Sequence, residues 1–423
     1  MVDESKGFIR GSMILLVTST MAAAINYVFQ FGMGRLLGPA DYGILATFYS
    51  ILYIMSAPTQ AVQLTITKFI AEFKAQNQFS EIKDLLFRST KKIFLLSVAV
   101  FLIFAVLSPQ ISKFLNISQT SITIAFSFVF LGLFILPGAR GFLQGMQKFK
   151  ALGLSMITES TIKLVLSLIL VFAGFSVAGA VWGTNISLFL AFIIVVLLMF
   201  RLLKKYEITS LDNEKKSEIY KYAIPMLVAL SSITALYSID VILVKHFFVA
   251  EEAGIYAAAS LIAKIIFFGL MPISNAMFPK IAELKAKSQG YGNVFIKSIA
   301  IVTGLSALAT AVYYLAPGFV DKLLFGPEYA ATVPLIGLFG AAISLLSISY
   351  VFVNYFLAIG KTRFVYMLPV FAVVETALIW FWHASLWQIL ILITAVMSAL
   401  LISLMALNFT NKYGKTLHSN SSI

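Results

Sequence analysis

The sequence predicts an all-α integral membrane protein of about twelve transmembrane helices in two pseudo-symmetric six-helix lobes. Three observations carry this. The 423 residues are 60% hydrophobic and 12% charged, with a mean hydropathy of +0.95, where soluble domains have about 45–50% apolar and about 25% charged residues. The apolar residues gather into twelve runs near the ~20 residues that cross a bilayer as a helix. A short pattern also recurs once in each half of the chain.

The runs are spans 1–6 (Gly11–Leu37, Tyr42–Phe69, Lys91–Ser108, Ser121–Gly145, Phe149–Ala173, Val177–Leu203) and spans 7–12 (Ile219–Phe248, Ala253–Phe278, Val294–Leu315, Ala330–Ile359, Phe364–His383, Leu386–Phe409). Charge clusters and Pro or Gly turns separate them. Lys6 and Arg10 before span 1 and Ala22-Ala23-Ala24 within it imitate a signal peptide. The apolar run continues past the alanines, so the expectation is an uncleaved first helix. Residues 204–218, which mix Lys with Glu207, Asp212 and Glu214, read as a linker between lobes at 1–203 and 219–423.

The repeat supports that division. Ile70-Ala71-Glu72-Phe73-Lys74-Ala75 is matched by Ile281-Ala282-Glu283-Leu284-Lys285-Ala286, 211 positions later, and the same offset pairs Gly43 with Gly254. Both copies follow an even-numbered span. The duplication is therefore parallel, a plan that places a substrate site between the lobes near mid-membrane.

The net charge of +13 is a matter of topology. Nearly all Lys and Arg outside the spans fall on the side of the termini, the linker and the even-numbered loops. The opposite side carries Arg35, Lys113, Lys245 and Lys322. The positive-inside rule then puts both termini in the cytoplasm of a multi-pass plasma-membrane protein, with anionic lipids as its surface partners and no nucleic acid.

Several functions are excluded by residue type. There is no Cys, and His246, His383 and His418 are scattered, so neither a thiolate nor a histidine metal site is expected. Gly360-Lys361-Thr362 ends like a nucleotide-binding loop, but Tyr355 stands where the upstream glycine belongs. No nucleophile elbow and no long outer loop are present, so the expectation is not an enzyme, with no catalytic residue and no cofactor.

Ionisable residues inside the spans carry the remaining information, each costing roughly 2.5–3.5 kcal/mol at the bilayer centre. Glu159 and Lys163 in span 5 stand at i,i+4, either a self-neutralising pair or a charged element lining a cavity. Lys264 lies deep in span 8 with no acid one turn away, which points it at a cavity or another helix. Glu375 lies mid-span 11, the counterpart of span 5, so each lobe carries a mid-membrane glutamate. Asp240 in span 7 either pairs with Lys245 or couples a cation. Arg140 follows Pro137-Gly138 in span 4 and either snorkels or meets an anionic ligand. Pro58, Pro137, Pro225 and Pro272 are candidate bends. The cavity candidates are thus Arg140, Glu159, Lys163, Lys264 and Glu375, with Asp240 and Glu375 as candidates for coupling to H+ or Na+. Two lobes, polar groups at mid-depth and no nucleotide site argue for a secondary transporter working by alternating access.

Arg35-Leu36-Leu37-Gly38-Pro39-Ala40-Asp41-Tyr42-Gly43 resembles the RxLGPxxYG turn of the polysaccharide-repeat-unit flippases. Lys68-Phe69-Ile70-Ala71-Glu72 and Leu143-Gln144-Gly145-Met146-Gln147-Lys148-Phe149 look like the same family. These flippases belong to the multidrug/oligosaccharidyl-lipid/polysaccharide (MOP) exporter superfamily. The resemblance implies two six-helix bundles in a V, acting as a monomer on an oligosaccharide linked to a polyprenyl phosphate or diphosphate. The multidrug and toxin extrusion branch shares this fold and supplies the alternative, a cation-coupled exporter of drugs or metabolites.

Overall fold

A computed structural model describes residues 2–203 and 213–419, with side chains placed for 13–201, 203, 224–285 and 287–408. Among these, secondary structure is helical, with no strand: α1 (Val2–Ala75), α2 (Phe79–Val106), α3 (Ser108–Phe114), α4 (Thr120–Ser127), α5 (Val129–Gly145), α6 (Phe149–Leu170), α7 (Ser176–Leu203), α8 (Asn213–Leu236), α9 (Ile239–Phe247), α10 (Ala250–Ala286), α11 (Gly292–Leu315), α12 (Pro317–Leu324), α13 (Val333–Ala358), α14 (Leu368–Phe381) and α15 (Leu386–Ser419). Residues 204–212 of the expected linker lie outside the described residues.

Nine helical stretches among the described residues are long and apolar enough to cross a membrane. Two of them, 63 and 53 residues long, far exceed the ~20 residues of one crossing. Each is broken by a glycine. Gly38 has φ 70° and ψ 172° inside α1, and Gly174 has φ 91° in the π-helical segment Val171–Phe175 joining α6 to α7. Side chains other than hydrogen rarely tolerate such backbone. Counting both broken stretches as two crossings, and the α8–α9 pair bent by 41° as one, gives twelve among the described residues. The expected loops between spans 1 and 2 and between spans 5 and 6 are therefore short breaks in near-continuous helix, at Gly38 in the first and at Gly174 and Ser176, the latter with φ 44°, in the second. The Ser176 hydroxyl donates to Asp41 Oδ2 at 2.6 Å, tying the two breaks together.

The chain divides into two compact units, Met1–Ser231 and Ser232–Ile423. In the first, α5 packs on α1 and α2, and α6 packs on α1 and α7. Gly141 and Gly145, one turn apart on α5, make the α1 contact possible. A Cβ on Gly141 would lie 2.8 Å from the Gln63 carbonyl, and one on Gly145 would lie 2.8 Å from Ile70 Cβ. In the second unit α13 is buried on most of its surface and packs against α10, α11 and α15.

The units repeat each other in hydrogen bonding as well as sequence. Lys74 Nζ donates to the carbonyl of Met146, the residue capping α5. Lys285 Nζ donates to the carbonyl of Ile359, which caps α13. Asn77 and Ser288, just past the ends of α1 and α10, are both left-handed, with φ 57° and 55°. Ser112 and Thr123 share a 2.7 Å hydrogen bond between α3 and α4, and Thr332 donates to Asp321 of α12 at 2.7 Å. Asp321 and Thr332 each lie 209 positions after their counterparts.

Candidate functional site

In the first unit the charged groups meet where α1, α5 and α6 pack. Pro137 and Gly138 put Arg140 on the α5 face turned to α6. There its guanidinium reaches Glu159 Oε2 at 2.7 Å, Ser155 Oγ at 3.1 Å and the Ser155 carbonyl at 3.1 Å. Arg140 and Glu159 are largely buried, with side chains 13% and 17% exposed. Glu159 thus makes its close ion pair to another helix, while Lys163, one turn on, stays within its electrostatic reach. The guanidinium presents a rigid set of donors to carboxylate and carbonyl together, which one flexible ammonium cannot match. Lys163 is buried, and its Nζ lies 5.1 Å from the ring centroid of Phe29 and 5.5 Å from that of Tyr49. Aromatic faces attract a cation through their quadrupoles, most strongly away from water.

Neutral polar groups surround this junction, and the search for ionisable residues passed them over. Asn26 Nδ2 donates to Ser160 Oγ at 3.2 Å. Tyr49 and Thr184 share a 2.9 Å hydrogen bond, and Tyr53 is hydrogen-bonded to Gln30. Asn26 Oδ1 and Gln30 Oε1 are buried acceptors with no hydrogen-bond partner. The available signal was spacing: Asn26 and Gln30, like Tyr49 and Tyr53, recur at i,i+4 within apolar runs and so share a helix face.

In the second unit Asp240, Lys264 and Glu375 come from α9, α10 and α14, and each is at most 3% exposed. They lie within electrostatic reach of one another. The Tyr256 hydroxyl donates to Asp240 Oδ2 at 2.9 Å, so the aspartate is anchored to α10. Lys264 Nζ lies 5.8 Å from the centroid of the Tyr237 ring. Glu375 is fully buried, and neither carboxyl oxygen has a hydrogen-bond partner; Asp240 Oδ1, Ser238 Oγ and Ser260 Oγ also lack one. Such groups are costly in a low-dielectric interior unless a proton or ion satisfies them.

Glu159 and Glu375 lie on the corresponding helices of spans 5 and 11, but they do not occupy equivalent positions on them. Buried positions on the span 5 helix include Gly153, Ser160, Lys163 and Ser167. On the span 11 helix they include Val365, Ala372, Glu375 and Ile379. These four pairs share one offset, which makes Lys163 the counterpart of Glu375.

Residues 8–285 match the family described as polysaccharide biosynthesis protein, about two thirds of the chain. The chain belongs to that family. The family match contains Arg140, Glu159, Lys163, Asp240 and Lys264, while Glu375 lies beyond it. An uncharacterized membrane protein of Methanocaldococcus jannaschii is 26% identical over 382 residues, covering 83% of each chain. The fold is similar to that of an inward-facing multidrug resistance MATE family transporter of the MOP superfamily, with a TM-score of 0.80 and 14% identity over 97% of this chain and 100% of that one. It is also similar to a MOP superfamily transporter from Pyrococcus furiosus, with a TM-score of 0.67 and 17% identity over 96% and 95% of the two chains. This family member is therefore a multi-pass membrane protein with the MOP fold.

Proposed function

We propose that the protein is a flippase that carries an oligosaccharide linked to a polyprenyl phosphate or diphosphate from the cytoplasmic to the outer leaflet of the plasma membrane. Membership of the polysaccharide biosynthesis family is the observation that carries this reading. Buried cations support it. Arg140 and Lys264 offer positive charge to a phosphate, and Glu159 keeps the Arg140 junction from becoming a cationic trap. Neutral groups such as Asn26 and Gln30 suit sugar hydroxyls. Alternating access, with both termini cytoplasmic, completes the proposal.

Reconstitution into liposomes with a fluorescent polyprenyl-diphosphate oligosaccharide tests it, with leaflet exchange followed by quenching. Wild type should exchange the lipid and Lys264→Ala should do so more slowly. No exchange across several glycans, with and without ion gradients, would sink the flippase reading.

A second reading is favoured by one observation, the fully buried and unpartnered carboxyl of Glu375. In it the protein is a cation-coupled exporter of drugs or metabolites; a structurally similar protein is described as a multidrug resistance transporter. Deletion would then cause drug hypersensitivity, and Asp240→Asn or Glu375→Gln would abolish a pH or sodium dependence of export. Coupling of H+ or Na+ at Asp240 and Glu375 is common to both readings.

A further inference from the structure

The two units contain one buried three-helix junction twice, with its charges inverted. The register of buried positions makes Phe29 the counterpart of Asp240, Tyr53 that of Lys264 and Lys163 that of Glu375. In the second unit Asp240, Glu375 and Lys264 sum to one negative charge when all are ionised; Lys245, also buried on α9, is not among the charges that act on Glu375. In the first, Arg140 and Glu159 neutralise each other at 2.7 Å. The three charges sum to one positive: Lys163 lies within electrostatic reach of Glu159 but has no carboxylate within 4 Å among the described residues, and its ammonium lies over the rings of Phe29 and Tyr49.

We propose that Lys163 is a tethered cation: its ammonium fills, in the first unit, the place that an exchangeable monovalent cation takes beside Asp240 and Glu375 in the second. The chain therefore exchanges one cation rather than two. This rests on the reading of Asp240 and Glu375 as a coupling site and is independent of which substrate is carried. Three observations support it. Glu375 is fully buried with both oxygens unpartnered, and Asp240 Oδ1 and the hydroxyls of Ser238 and Ser260 are unpartnered oxygens on the helices beside it. Hard oxygen donors with a net charge of one suit a hard monovalent ion. At the first junction, by contrast, Phe29 presents a ring face where Asp240 presents a carboxylate, and a ring face suits an ammonium already fixed to the chain.

Binding of radioactive sodium to the purified full-length protein in lipid nanodiscs at pH 8, measured by equilibrium dialysis, tests this. Wild type should bind one sodium per chain. Glu375→Lys, which copies the first junction into the second, should bind none. The triple variant Phe29→Asp, Tyr53→Lys and Lys163→Glu, which copies the second into the first, should bind two. One sodium in the triple variant would overturn the tethered cation and leave the coupling site standing, as would two in wild type. No sodium in wild type, or binding retained in Glu375→Lys, would remove the coupling site and the inference with it. Lys163→Ala gives an independent reading should the triple variant fail to fold. Its lowered melting temperature should recover with propylammonium and not with propanol, and equal recovery with both would show that only the volume of the side chain matters.

Discussion

Arg140 and Glu159 illustrate how strongly one ion pair can be constrained inside a lipid-embedded unit. Removing one partner leaves the other buried and uncompensated, which typically costs about 3–5 kcal/mol. Arg140→Met should therefore lower the thermal midpoint of the purified protein well beyond Glu159→Gln combined with Arg140→Met, and scanning fluorimetry of the three proteins checks this. Glu375→Gln makes the opposite case. It replaces an unpartnered buried carboxyl with an uncharged group of similar size, so stability should hold or rise while any stabilisation by sodium disappears. The sequence revealed these residues because a charge in an apolar run stands out. It concealed their partners, since the rotation of α6 that turns Glu159 to Arg140 and Lys163 to Phe29 is fixed by packing across helices. Asn26, Gln30 and Tyr49 escaped notice because a neutral polar group in a long apolar run carries little contrast.

At the scale of elements, the spans were legible because bilayer thickness sets their length, whereas the breaks at Gly38 and Gly174 were not. A Gly-Pro pair reads as a loop, yet Pro39 needs no amide donor at the first position of a new helix. Helix can therefore resume at once. The α1 to α5 contact depends on the two α5 glycines. Gly141→Leu should cost roughly 1–3 kcal/mol through overpacking, whereas Gly304→Leu, with open space around it, should change the melting temperature little. The short α12 gives a pH test. Burial raises the pKa of Asp321, opposed by the hydrogen bond from Thr332. The folded state thus holds the proton more tightly than the unfolded one, and its contribution to stability is present in acid and lost as pH rises through the folded pKa. Asp321→Asn keeps the Oδ1 acceptor, so it should melt higher than wild type at neutral pH and converge with it as the pH is lowered.

For the whole molecule, the distribution of Lys and Arg makes a claim about orientation that reporter fusions can check. Alkaline phosphatase joined after Asn116 or Gly326 should be active, and joined after Gln147 or Ser288 should be silent. The reverse pattern would invert the protein in the membrane and exclude export in the proposed direction. The repeat was legible from one six-residue match and the Gly43–Gly254 pair at the same offset, and the structure adds the hydrogen bonds of Ser112 with Thr123 and Thr332 with Asp321, which share little sequence identity. Charge inversion at the two junctions could not be read from the chain, because it depends on a one-residue difference in helical register between α6 and α14.

The lysine clasps at Lys74 and Lys285 have an evolutionary consequence. Each donates to a main-chain carbonyl, and substitution of the accepting residue leaves that acceptor in place. Such a contact needs one residue to be inherited per copy instead of two that must change together. On the reading of the two halves as a duplication, the accepting turns were free to diverge, as Met146 and Ile359 have. The donor segments were not, and they remain the most recognisable trace of common descent between the halves.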